Sequence, residues 1–118
     1  MRRLATLILP IAVMASFGCG PPDPETLYVD LGCPRCHGFH REGNRYGPTL
    51  EGLSENWDSA QTVVSYLRDP KTVVENDARL KAQDADYKLK MQPVTGTPDE
   101  DLTILTAWLL APGDGVVD

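Results

Sequence analysis

The run Cys33-Pro34-Arg35-Cys36-His37 constrains this 118-residue chain more than any other feature. Two thiols three residues apart fall on one face of a helical turn, with an imidazole directly behind them. Three chemistries use such a run. A Cys-Pro-x-Cys pair acts as a redox dithiol when it sits between a buried apolar strand and a helix, but the residues before it, Pro24 to Gly32, show no apolar strand. A zinc site drawing on Cys33, Cys36 and His37 or His40 lacks a further ligand cluster, and adjacent Cys36 and His37 share a tetrahedral ion poorly. The third is covalent haem attachment, for which C-x-x-C-H is the signature. Each thiol forms a thioether with one vinyl group along a ring edge, and the His reaches the iron from that side. We read the run this way, with the dithiol as the alternative.

A haem also answers a problem of size. Arg2 and Arg3 precede a stretch, Leu4 to Phe17, in which 11 of 14 residues are hydrophobic. This reads as an export signal, so residues 1–18 are expected to be a signal peptide. The run is short of the roughly 20 apolar residues that a permanent membrane span needs. The remaining 100 residues carry 9 Lys+Arg, the chain's 11 less Arg2 and Arg3, against 17 Asp+Glu, a net charge of −8. Binding to a nucleic-acid backbone is thereby excluded. Leu, Ile, Val and Phe number 21 in those 100 residues, close to the roughly 20% at which a charged chain stops folding. A single domain this poor in large apolar side chains needs a staple. Three cysteines, Cys19, Cys33 and Cys36, are the wrong number for a disulfide framework.

The other face of a haem also needs a ligand. Beyond the motif, the exported part offers His40 and Met91. His40 follows His37 by three residues and cannot wrap round to the opposite side. Met91 lies 54 residues past His37, enough chain to pass around the ring, so it is the expected sixth ligand. An isolated Met otherwise serves as flexible core filler.

The rest of the chain reads as helices. Asp23 and Pro24 suit N-cap and N1, so a helix is predicted from about Pro24 towards the motif. Gly43, Asn44, Gly47 and Pro48 mark an irregular loop. Asp58 and Gln61 resemble a capping box, ahead of a helix that carries Val63, Val64, Tyr66 and Leu67 and stops before Pro70. Residues 71–90 are polar and weakly periodic, with a short helix around Ala78 to Ala82. Thr97, Pro98, Asp99 and Glu100 predict a capped closing helix with Leu102, Leu105, Trp108 and Leu109 along it, ending before Pro112. No run alternates at period two, so the domain is expected to be all-α.

The blocks Gly32-Cys33-Pro34-Arg35-Cys36-His37-Gly38, Gly47-Pro48-Thr49-Leu50-Glu51-Gly52-Leu53 and Leu67-Arg68-Asp69-Pro70, with Met91 before a closing helix that holds Trp108, resemble the class I monohaem cytochromes c. The likeness covers nearly all of residues 24–111. It implies a small cytochrome c-like fold of three to five helices, over residues 24–118, wrapped around one covalently bound haem c. Cys33 and Cys36 would hold the haem, with His37 as proximal and Met91 as distal ligand. The Pro48 carbonyl would accept a hydrogen bond from the non-ligating nitrogen of His37, fixing the tautomer and rotation of its ring. Leu50 would pack on the haem, and the first and last helices would cross with Tyr28 and Trp108 near the contact. Tyr46 and Trp57 are candidate partners for the propionates. Two positions depart from the family's habit. Pro24 stands where Gly is common, four residues before the first helix's aromatic, and Gln92 intervenes between Met91 and Pro93.

By the same likeness the chain is a single-electron carrier in a respiratory or related envelope electron-transfer chain, and not an enzyme. With His and Met on the iron, no position is open for substrate. The alternative is a haem enzyme or sensor with an exchangeable sixth ligand, peroxidase-like in its chemistry. Ser16-Phe17-Gly18-Cys19 resembles a bacterial lipoprotein signal, in which Cys19 would be lipidated and become the mature N-terminus. Ordinary cleavage after Gly18 is the competing reading. Residues 19–23 would then form a Pro-rich tether spanning about 15 Å when extended. The expected location is the periplasmic side of a bacterial envelope, anchored to a membrane. The expected partners are redox proteins in or on that membrane, docking a basic patch against the acidic surface.

Overall fold

The computed structural model describes residues 20–111. Helix α1 runs from Pro24 to Asp30, started as expected by the Asp23 carboxylate, which accepts the Thr26 N–H at 2.9 Å. The chain then turns at Gly32, whose φ of 79° ordinary side chains resist. That turn separates α1 from a one-turn helix, α2, Pro34–His37, which carries the motif. A loop and a 3-10 turn, Leu53–Glu55, lead to α3, Ala60–Arg68. Its cap is Ser59, not Asp58: Ser59 is extended and its hydroxyl accepts the Thr62 N–H at 3.3 Å, so the capping box with Gln61 does not form.

Two helices occupy the segment that reads as polar. Helix α4 spans Pro70–Glu75, with Pro70 at its start and Asp69 capping the Thr72 N–H. Helix α5 spans Ala78–Ala85, longer than predicted and capped by Asp77. The closing helix α6, Asp99–Leu110, starts from Pro98 with no side-chain cap, because Thr97 does not take the N-cap position. Its first turn holds Asp99, Glu100 and Asp101, whose charges suit the positive end of the helix dipole.

The described residues therefore form six α-helices, not three to five, and no strand beyond one isolated bridge between Asn44 and Gly47. Beyond the four helices read from the sequence, two more arise where Gly32 splits the motif from α1 and where the Asp69-Pro70 pair restarts the chain after α3. The all-α class stands. Val63, Val64 and Leu67 fall on one face of α3 and pack against Leu102, Leu105 and Leu109 of α6. Each such side chain contributes roughly 1.5–3 kcal/mol on full burial. Helix α1 crosses α6 with the Tyr28 ring edge-on to Trp108, centroids 5.8 Å apart, so Pro24 at the N-terminus of α1 does not hold the two helices apart. Helices α4 and α5 pack together beside this core and form one wall of the site described next.

Candidate functional site

The loop after the motif closes back upon it. Gly43 N–H donates to the His37 carbonyl at 2.7 Å, and Asn44 N–H donates to Gly47 O at 3.0 Å. Gly47 is buried against the motif: a Cβ there would stand 2.7 Å from the Cys36 carbonyl oxygen, so only glycine allows the approach. The result is that the next residue presents its carbonyl to the imidazole. His37 Nδ1 donates to Pro48 O at 2.8 Å, the bond expected from the sequence. With Nδ1 carrying the proton, the Nε2 lone pair is left for a ligand. Burial pulls the His37 pKa below its ordinary value, with the Pro48 bond opposing, so the ring is neutral and able to ligate near pH 7.

Two adjoining cavities, of about 460 and 180 Å³, open on this imidazole. Cys33, His37, Pro48 and Met91 line both. Cys36 and Tyr46 line the larger one, Leu50 and Trp57 the smaller. Residues separated by more than fifty positions thus meet around one space, whose size falls in the range of roughly 300–1,000 Å³ usual for ligand and cofactor sites. His40 does not join them. It lies exposed on the loop, where its backbone N–H donates to the Glu42 carboxylate at 2.8 Å. Cys19, the expected leader 1–18 and residues 112–118 lie outside the described residues.

The far wall was not named by sequence reading. Tyr66 from α3 and Leu80 and Gln83 from α5 line both cavities, Tyr66 edge-on to Trp57 at 5.5 Å. The signal for α5 was its Asp77 cap and a lone Leu80, too little to say what that helix faces. Arg68 was quoted only as part of a motif, yet its guanidinium binds the loop that follows Met91.

Burial also pushes the Cys33 thiol up to about 11. A dithiol nucleophile needs the opposite shift, because the thiolate is the reactive form. Among the described residues no three His, Cys, Asp or Glu side chains gather to hold a metal ion, which leaves the zinc reading without a ligand set. Two thiols, a neutral imidazole with a free Nε2 and a thioether around one largely apolar cavity are a donor set that fits a haem: the thiols suit its vinyl edge, the nitrogen and thioether its iron. No protein-family model, curated protein or solved structure matches the chain.

Proposed function

We propose that the chain is a one-electron carrier of the class I cytochrome c kind, holding one haem through Cys33 and Cys36 with His37 and Met91 as axial ligands. The observation that carries this reading is the meeting of the Cys33–His37 turn and Met91 at one cavity, with His37 Nδ1 committed to Pro48 O at 2.8 Å. When bound, the haem supplies a one-electron ferric/ferrous couple, whose potential a Met ligand raises.

The chain's own residues do the rest. Cys33 and Cys36 would hold the haem at its vinyl edge as thioethers, each by addition of S–H across a vinyl group with no leaving group. Pro48 holds the imidazole in the tautomer that presents Nε2. Leu50, Tyr66, Leu80 and Trp57 wall the cavity with mostly apolar surface, which would limit reorganisation when charge changes. Because His40 stays outside the cavities, no second imidazole stands ready for acid–base work on a bound peroxide, and the carrier reading is preferred to the enzymatic one. The apolar stretch before Cys19, with Cys19 itself, supports a lipid-anchored place at the periplasmic side of a bacterial membrane. There its acidic surface favours a redox partner with a basic docking patch.

Expression with c-type maturation machinery tests the proposal. A haem-stained band should survive a denaturing gel, should vanish in the Cys33→Ala, Cys36→Ala double variant, and should leave the membrane fraction in Cys19→Ser. The visible spectrum should be low-spin and resist cyanide. An unstained wild-type band overturns the haem, rapid cyanide binding turns the reading to the enzymatic alternative, and Cys19→Ser retained on membranes removes the anchor.

A further inference from the structure

The loop after Met91 has little to hold itself. Gln92 reaches only the Lys90 carbonyl, at 3.1 Å, and both Gln92 and Pro93 are exposed. Anchorage comes from the end of α3. Val94 N–H donates to Leu67 O at 2.8 Å. The next residue, Arg68, spreads its guanidinium over three groups. Nη1 donates to Val94 O at 3.0 Å, Nη2 to Thr97 O, and Nε and Nη2 to Asp99 Oδ1 at 3.0 and 2.6 Å. One planar fork thus ties both ends of the 94–97 turn and the first residue of α6 to a helix packed in the core.

The ion pair is the lesser part of this. The Asp99 side chain is 77% exposed, and exposed pairs contribute little. The two carbonyl bonds are part-buried, and they fix backbone within three to six residues of Met91.

We infer that Arg68 is the positioning residue for Met91, holding the thioether at the cavity by pinning the 92–98 loop from outside. The inference rests on the reading of Met91 as an axial ligand and adds what keeps that ligand in place. It explains how a Met followed by an exposed Gln keeps a defined position. A lysine at residue 68 keeps the charge but has one nitrogen, which cannot span Val94, Thr97 and Asp99 together.

The test is cyanide uptake by the oxidised holoprotein, which reports how often the Met91 position opens. Arg68→Lys is the main variant, with Val64→Ala as a control that loosens the same helix at a core position lining neither cavity. Loss of one to two hydrogen bonds should speed uptake roughly tenfold in Arg68→Lys, and Val64→Ala should leave it near wild type. Arg68→Lys at the wild-type rate, or a rise in Val64→Ala as large as in Arg68→Lys, overturns the inference. Met91→Ala separates this from the underlying reading. If covalent haem is retained but Met91→Ala takes up cyanide no faster than wild type, Met91 is not the ligand and both fall. If Met91→Ala is fast and Arg68→Lys is not, only the role of Arg68 falls.

Discussion

Tyr28 donates its hydroxyl to the Gly38 carbonyl at 2.6 Å inside the core, so one side chain of α1 holds the end of the Cys33–His37 turn. Burial, aided by the nearby Cys33 and Glu42, raises its pKa far above the usual 10. Above about pH 10 an unfolded Tyr ionises while this one keeps its proton. The native state then binds more protons than the unfolded one, and stability falls as pH rises. Tyr28→Phe should flatten that alkaline loss in denaturant titrations between about pH 9 and 11, and should lower stability at pH 7 by about 1 kcal/mol through the lost bond. A variant with the wild-type alkaline slope would move the effect to another group, Tyr66 being the next whose pKa burial raises. At this scale legibility follows the range of the interaction. Cys33, Cys36 and His37 declare themselves because their chemistry is local in sequence. Met91 follows from its spacing to His37 as well as from resemblance, whereas Pro48 was named by resemblance alone. Arg68 has no local signature, since its partners are two backbone carbonyls and a carboxylate 26 to 31 positions away.

Among the helices, what could be read was where a cap and an apolar face coincide. Asp23 and Pro24 start α1 as expected, whereas the Asp77 that starts α5 was not read as a cap. The same Asp-Pro pairing stands at Asp69 and Pro70, but it reads more readily as the stop of α3 than as the start of α4, because it serves as both. At α6 the expected cap did not form: the helix starts from Pro98, and the Thr97 carbonyl accepts from Arg68 instead. Helix α4 is short and largely exposed, so its cap matters more than its packing. Asp69→Ala should cost about 1 kcal/mol in thermal or denaturant unfolding, and because α4 packs on α5 it should raise amide exchange across both helices. Exchange raised in α4 alone would mean the two helices do not open together.

The whole molecule is built around a gap. The buried cluster joins α1, α3 and α6, whereas α5, packed on α4, faces it across the two cavities. With 21 large apolar side chains in the 100 residues after Gly18, the chain has little core to spare, so a haem would be a structural part of it. Circular dichroism of the Cys33→Ala, Cys36→Ala variant made without haem should show a largely unfolded chain with no cooperative melt. A sharp, native-like transition would mean that α1, α3 and α6 suffice.

The seam between the first and last helices also carries a consequence in time. Tyr28 meets Trp108 edge-on, and the Arg41 guanidinium lies 4.4 Å over the same indole. A chain made from its N-terminus exposes Cys36 some 63 positions before Asp99, the first residue of α6. Until α6 exists, Tyr28 and Arg41 have nothing to close on, and joining such distant segments is slow beside the winding of a single helix. The Tyr28–Trp108 seam is therefore the last contact of the core to close.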